Sequence, residues 1–290
     1  MKSRTLFIIV IVCCFLISGI AIVSTLANSG SQTDNQSVVD ITKTPIVTPT
    51  PTMEPVPTST PTQSPTPEPT PIPTPEEVSV DGIDLDKPIV ALSFDDGPSF
   101  NDSTTRILNV IEKYGISATF FQIGEQIPGQ EKVLQRQIAL GCEIGSHTMT
   151  HNLNFKKDNL DDVVAEINES DELIYSATGK HIKLVRPPWG AYNDEALQRI
   201  DYPLILWSVD TLDWQSRDKN AVFAEVKKST YDGCIILMHD LYSTTADAVE
   251  LVVPWLLEQG YQIVNVSQLF AARGVELSPH ATYRNAKPNR

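Results

Sequence analysis

Cysteine and positive charge are both scarce in this chain. There are four cysteines in 290 residues, and Cys13 and Cys14 fall inside an apolar N-terminal run. Only Cys142 and Cys234 remain downstream, too few for a disulfide framework. Each heads an apolar, strand-like run and reads as a small buried core residue, not as a bridge partner or metal ligand. Lys and Arg number 22 against 36 Asp and Glu, a net charge of −14. After residue 80 the balance is 19 to 30. Such acidity argues against a nucleic-acid partner and against docking on an anionic polymer or membrane surface. It suits an uncharged sugar held by local contacts. Histidine is also sparse, with five in all, so their placement carries weight.

The chain divides by composition. Lys2 and Arg4 precede an apolar run from Leu6 to about Val23, the charged-then-apolar pattern of an export signal. Its length approaches a membrane span, and Thr25-Leu26-Ala27 is a modest cleavage site, so residues 1–28 read as a signal anchor in preference to a cleaved signal peptide. Residues 29–79 read as a disordered linker. Between Pro45 and Pro75 lie 12 of the 21 prolines, alternating with Thr and Ser, a composition that favours extended left-handed helix and spans on the order of 100 Å. Residues 80–275 form the expected globular domain, and 276–290 a short, solvated, mildly basic tail. The expected location is the outer face of the cytoplasmic membrane or the cell wall, with the chain as a monomer.

Within the domain, strand-length apolar runs recur at 89–93, 118–123, 142–146, 183–186, 203–208, 234–238 and 262–266. Helical spacing separates most of them, as in Ile107, Val110 and Ile111, and in the long stretch Leu160 to Ala177. Alternating strands and helices imply a parallel sheet. Chemically capable residues fall at strand C-terminal ends: Asp95 and Asp96, His147, Arg186, Asp210 and Asp213, and His239. That placement favours a (β/α) barrel, whose strand ends converge on one mouth.

Asp95 and Asp96 follow the run Ile89-Val90-Ala91-Leu92 and sit in Asp-Asp-Gly-Pro, a strand entering a sharp turn. About fifty residues on come His147 and His151. Two imidazoles and one carboxylate suit zinc or a similar ion with an open position for water. Adjacent residues at a strand end point to different sides, so one aspartate can ligate while the other acts as a base. Alone, the tetrapeptide is better explained by an Asx turn; the combined set points to metal-assisted hydrolysis.

Five segments together carry a resemblance: SFDDGP at 93–98, HTMTH at 147–151, RPPWG at 186–190, DTLDW at 210–214 and LMHD at 237–240. From about Asp86 to Gly274 the chain resembles the polysaccharide deacetylases of carbohydrate esterase family four. The resemblance implies an irregular α/β barrel of about seven parallel strands. It implies Asp96, His147 and His151 as ligands of one divalent metal, zinc first, with cobalt, nickel or manganese as alternatives. It implies Asp95 as the base, with Arg186 pairing to it, and His239 as the acid that protonates the departing amine, held by Asp213. The backbone N–H of Trp189, approached through Pro188, is the implied oxyanion donor, and Trp214 and Leu237 the acetyl-methyl slot. Many members carry Tyr where this chain has Trp189, a change that spares a backbone donor.

The implied reaction is hydrolytic N-deacetylation of N-acetylglucosamine in peptidoglycan, which the anchor and spacer favour as substrate. Chitin oligomers or O-acetylxylan keep the same site with another polymer. A glycan-binding wall protein on an inactive scaffold would be expected to lack a ligand or the base, and none is missing here.

Overall fold

A computed structural model describes residues 78–288. The apolar N-terminal run and the proline-rich segment lie outside the described residues, as do the expectations of an anchor and a spacer. Among the described residues no helix is long and apolar enough to cross a membrane.

The chain runs β1 (Ile89–Asp95), α1 (Ser103–Tyr114), β2 (Thr119–Gln122), α2 (Glu131–Ala139), β3 (Glu143–Ser146) and α3 (Leu160–Thr178). It continues through α4 (Asp194–Arg199), β4 (Leu204–Ile205), β5 (Val209–Asp210), α5 (Asp213–Ser216), α6 (Lys219–Ser229) and β6 (Ile235–His239). Last come α7 (Ser243–Glu258), β7 (Gln262–Val264), α8 (Val266–Ala272) and β8 (Thr282–Tyr283). Helix ends follow local chemistry: α1 and α3 stop at Gly115 and Gly179, both left-handed. The Asn159 side chain caps α3, and Asn265 with Gln268 forms a capping box on α8.

Every named strand pair is parallel. The central path is β3-β2-β1-β6-β5, with β7 against the first half of β1. Beyond β3 the wall continues through single bridges from Ser146 to Val185 and from Val185 to Leu204, then through β4 to β8. Asn285 bridges back to Cys234, so the wall curls towards its other edge and the α/β fold is barrel-like.

Strand alternation sorts the core. On β1, Val90, Leu92 and Phe94 join the layer under α1, α6 and α7, where Phe94 stacks on Phe120 at 5.1 Å. Ile89 and Ala91 share the other side with Phe121, Leu184, Ile205 and Ile235, closed off by Leu269 and Phe270 of α8. Burying each large apolar side chain contributes roughly 1.5–3 kcal/mol. Ser93 and Asp95 continue the same side as Ile89 and Ala91, so a polar end is built onto an apolar strand.

Three expectations need correction. The run 183–186 is not a strand; Val185 alone bridges, because Pro187 and Pro188 supply no amide donors to extend the ladder. The run 203–208 yields only β4, held to β8 by the Leu204 and Leu206 N–H groups donating to the Ala281 and Tyr283 carbonyls, and Val209 starts β5 against β6. The tail is not simply solvated: it carries β8 and buries Ala286. The cysteine reading holds, with Cys142 and Cys234 both free and buried.

Candidate metal and catalytic site

The ends of β1, β3, β5 and β6 and the segment after Val185 meet at one rim. Asp95 closes β1 facing inward, whereas Asp96 has φ 73°, a left-handed turn that sends its side chain elsewhere. The next residue is confined: a Cβ on Gly97 would overlap the Asp240 carboxylate. The two neighbouring carboxylates nonetheless both reach His147 Nε2, Asp95 through Oδ2 at 3.6 Å and Asp96 through Oδ1 at 3.5 Å.

Asp96 Oδ1 lies 3.5 Å from His147 Nε2 and 3.7 Å from His151 Nε2. Asp96, His147 and His151 each offer a ligand atom within 4.8 Å of the others. Asp96 Oδ1 is buried with no hydrogen-bond partner. An orphaned carboxylate oxygen beside two converging imidazole nitrogens is costly alone and is satisfied by a cation, so the donor set fits a divalent metal. His147 Nδ1 sits 2.7 Å from the Arg186 carbonyl, which requires the proton on Nδ1 and turns the Nε2 lone pair inward. Burial, then the neighbouring His147, lowers the His151 pKa below that of an ordinary imidazole, favouring the neutral form that ligates. Thr148 and His151 both have positive φ, and the His151 N–H donates to Thr148 Oγ1 at 3.0 Å, folding the five-residue motif back on itself.

Arg186 is wholly buried. Its Nη1 donates to Asp95 Oδ1 at 2.6 Å and to Ser93 Oγ at 2.9 Å, while Nε and Nη2 donate to the carbonyls of Ile205 and Leu206. The guanidinium also lies over Phe121, 4.1 Å from the ring centre. Its fixed fork leaves Asp95 Oδ2 as the uncommitted oxygen, 3.6 Å from His147 Nε2.

Across the rim, His239 Nδ1 is 2.8 Å from Asp213 Oδ1, and the His239 N–H donates to Asp213 Oδ2 at 2.7 Å. Thr245 Oγ1 and the Trp214 N–H also donate to Asp213, saturating this buried carboxylate. Burial works to lower the His239 pKa, but the Asp213 hydrogen bond and charge, with Asp95 and Asp96 behind, outweigh it and raise it to about 9.

The remaining expected residues lie around this rim. Pro188 is buried, and Trp189, with φ 57° and 58 % exposed, lies edge-on to His151 at 4.8 Å. Trp214 is 48 % exposed beside Asp213, and Leu237 is buried two residues below His239, opposite Ser93. Asp210 caps the turn by accepting from the Leu212 N–H at 3.0 Å. Asp240 is buried under the Asp-Asp-Gly-Pro turn; burial pushes its pKa up to about 7, and Thr104 Oγ1 donates to it at 2.7 Å.

Two participants were not singled out from sequence. Ser93 accepts from Arg186 and donates to the Ile236 carbonyl, and a polar residue inside an otherwise apolar strand was its available signal. Tyr242 has its ring 6.2 Å from that of His239.

A family model described as "Polysaccharide deacetylase" matches residues 82–202. The chain is 38 % identical over 188 residues to peptidoglycan-N-acetylmuramic acid deacetylase PdaC of Bacillus subtilis (strain 168), covering 64 % of this chain and 40 % of that one. It is 33 % identical over 184 residues to peptidoglycan-N-acetylglucosamine deacetylase PgdA of Listeria monocytogenes, covering 63 % of this chain and 39 % of the relative. The chain thus spans about two fifths of the length of these two relatives. A solved structure titled "T48 deacetylase with substrate" aligns with TM-score 0.66 and 37 % identity over 69 % of this chain and 99 % of that chain.

Proposed function

This chain belongs to the polysaccharide deacetylase family, carbohydrate esterase family four, and from that premise we propose that it removes acetyl groups hydrolytically from N-acetylglucosamine residues of peptidoglycan. The observation that carries the reading is the orphaned Asp96 Oδ1 between two imidazole nitrogens, with an uncommitted Asp95 oxygen beside it.

Asp96, His147 and His151 would hold one divalent ion, zinc first, with cobalt, nickel or manganese able to serve. Such an ion supplies an acidified water and polarises the acetyl carbonyl. Asp95 Oδ2 takes the proton from the attacking water, and Arg186, paired to Oδ1, holds that carboxylate aimed. The Trp189 N–H, set by Pro188, faces the developing oxyanion. His239 Nε2, with Nδ1 committed to Asp213, gives a proton to the departing amine. Trp214 and Leu237 receive the acetyl methyl. One acetate and one free amine result for each water consumed.

The expected setting is extracytoplasmic, with the N-terminal segment as membrane attachment and the monomer as the working unit. Release of a shortened protein on cell fractionation would overturn the attachment. Chitin oligomers and O-acetylxylan are the alternative substrates, and an inactive glycan-binding protein the remote one. The test is acetate release by the full chain with zinc or cobalt on peptidoglycan, chitin oligomers and acetylxylan in parallel, against Asp95→Asn. Release from peptidoglycan that is lost in the variant supports the reading; release only from another polymer moves the substrate, and release from none refutes it.

A further inference from the structure

Five of the seven described arginines hold a carboxylate: Arg106, Arg136, Arg186, Arg199 and Arg273. Arg217 and Arg284 have no ion-pair partner among the described residues. Both are solvent-exposed, and of the two Arg217 lies at the rim of the site.

Arg217 ends α5 in a left-handed conformation, φ 48°, and Leu212 before the helix is left-handed at φ 52°. A single helical turn with a non-glycine left-handed residue at each end is costly, so its surroundings must hold it. The holding contacts are visible. The Arg217 guanidinium carbon lies 3.2 Å from the centre of the Tyr242 ring, and its Nε donates to the Trp214 carbonyl at 2.8 Å. Together the stack and the bond fix the plane of the guanidinium, and no carboxylate among the described residues takes its Nη groups. Tyr242 is next to His239, and Trp214 next to Asp213, so this cation borders the proposed acid.

We propose that Arg217 reads a carboxylate on the glycan beside the N-acetyl group being cleaved, so that the site prefers acid-bearing strands to neutral ones. The inference rests on the deacetylase reading above and deepens it. A planar fork already immobilised on a ring loses little freedom on binding and matches a carboxylate with two parallel N–H donors. It also reconciles an anionic polymer with an acidic domain, because the attraction is one local contact within a repelling field. Peptidoglycan offers two sources of the carboxylate: the lactyl ether of N-acetylmuramic acid where the stem peptide has been removed, and the stem peptide's own carboxylates where it is retained.

The test compares the full chain with Arg217→Gln and Arg217→Lys, with zinc supplied, on three substrates: intact peptidoglycan, glycan strands stripped of stem peptides, and neutral chitin oligomers. Affinity for the same glycans is measured alongside acetate release. The expected result is a roughly tenfold fall in the acidic-to-neutral ratio of kcat/KM in Arg217→Gln, carried by KM, with part of it recovered in Arg217→Lys. A fall on stripped strands assigns the lactyl carboxylate, and a fall on intact peptidoglycan alone assigns the stem peptides. An unchanged ratio overturns the proposal. So does an equal fall on acidic and neutral glycans, the mark of a staple that merely holds the turn. If the unaltered protein releases no acetate from any glycan, the deacetylase reading fails, and the ratio of binding affinities still decides the role of Arg217 by the same criterion.

Discussion

Asp95 and Arg186 form a buried ion pair, Oδ1 to Nη1 at 2.6 Å, in which the cation has no exposure and the anion is 3 % exposed. Neither charge has water to fall back on, so the pair's worth to activity and its worth to stability are joined. Replacing Arg186 with Met should cost about 3–5 kcal/mol in urea unfolding, the usual penalty for leaving one member of such a pair uncompensated. Asp95→Asn with Arg186→Met should be less destabilised than the sum of the single changes, because the orphan charge is gone. Strict additivity in that cycle would show that the two charges are not coupled.

The ligand set predicts a second coupling. Because Asp96 Oδ1 is buried without a partner, the apoprotein carries an unpaid desolvation cost that a cation removes. Zinc at about a hundred times its Kd should stabilise the fold by roughly 2.7 kcal/mol, read as a rise in Tm. Asp96→Asn should weaken or abolish that rise. A chelator should remove both the added stability and the acetate release, and zinc should restore them. A Tm insensitive to zinc, cobalt, nickel and manganese would reject the metal site.

How much of this was legible in the sequence depends on whether a feature is local. The inward side of β1 follows from alternation through Ile89, Ala91, Ser93 and Asp95, and the spacing of His147 and His151 announces a ligand pair. The positive φ values at Asp96, Thr148, His151 and Trp189 have no such signal, because Asp and His favour that region only weakly and Thr and Trp enter it when their surroundings hold them there. The strand expected at 183–186 failed at Pro187, a residue visible in the sequence but whose cost to the ladder depends on which neighbours are available. The stack of Arg217 on Tyr242 joins two loops through a left-handed helix end, and pattern and period carry no trace of it.

Cys142 and Cys234 should be chemically silent in the folded protein. Burial pushes both thiols up to about 12, so almost no thiolate exists at neutral pH. A thiol reagent at pH 8 should label neither of them in the folded chain, and both should react after unfolding in denaturant. Prompt labelling of either one before unfolding would contradict its burial.

The last prediction concerns His239 and Asp213. In the metal-free protein the imidazole should titrate near pH 9, well above an ordinary histidine near 6.5. The folded-state value is raised, so the stability it contributes is fully present below about pH 6.5 and is lost as pH rises through about 9; its size is roughly 3 kcal/mol. Asp213→Asn removes the main opposition to burial and leaves only the charges of Asp95 and Asp96, so the same imidazole should then titrate lower than in the unaltered protein. Nitrogen NMR of the imidazole in both proteins measures this directly. The kinetic counterpart is selective: an amine leaves poorly without a proton, whereas an alkoxide leaves more easily, so Asp213→Asn should lose amide cleavage by about 10²–10⁴-fold and keep more of any ester cleavage. Equal losses on amide and ester, or a His239 that titrates near 6.5 in the unaltered protein, would remove it from the role of acid.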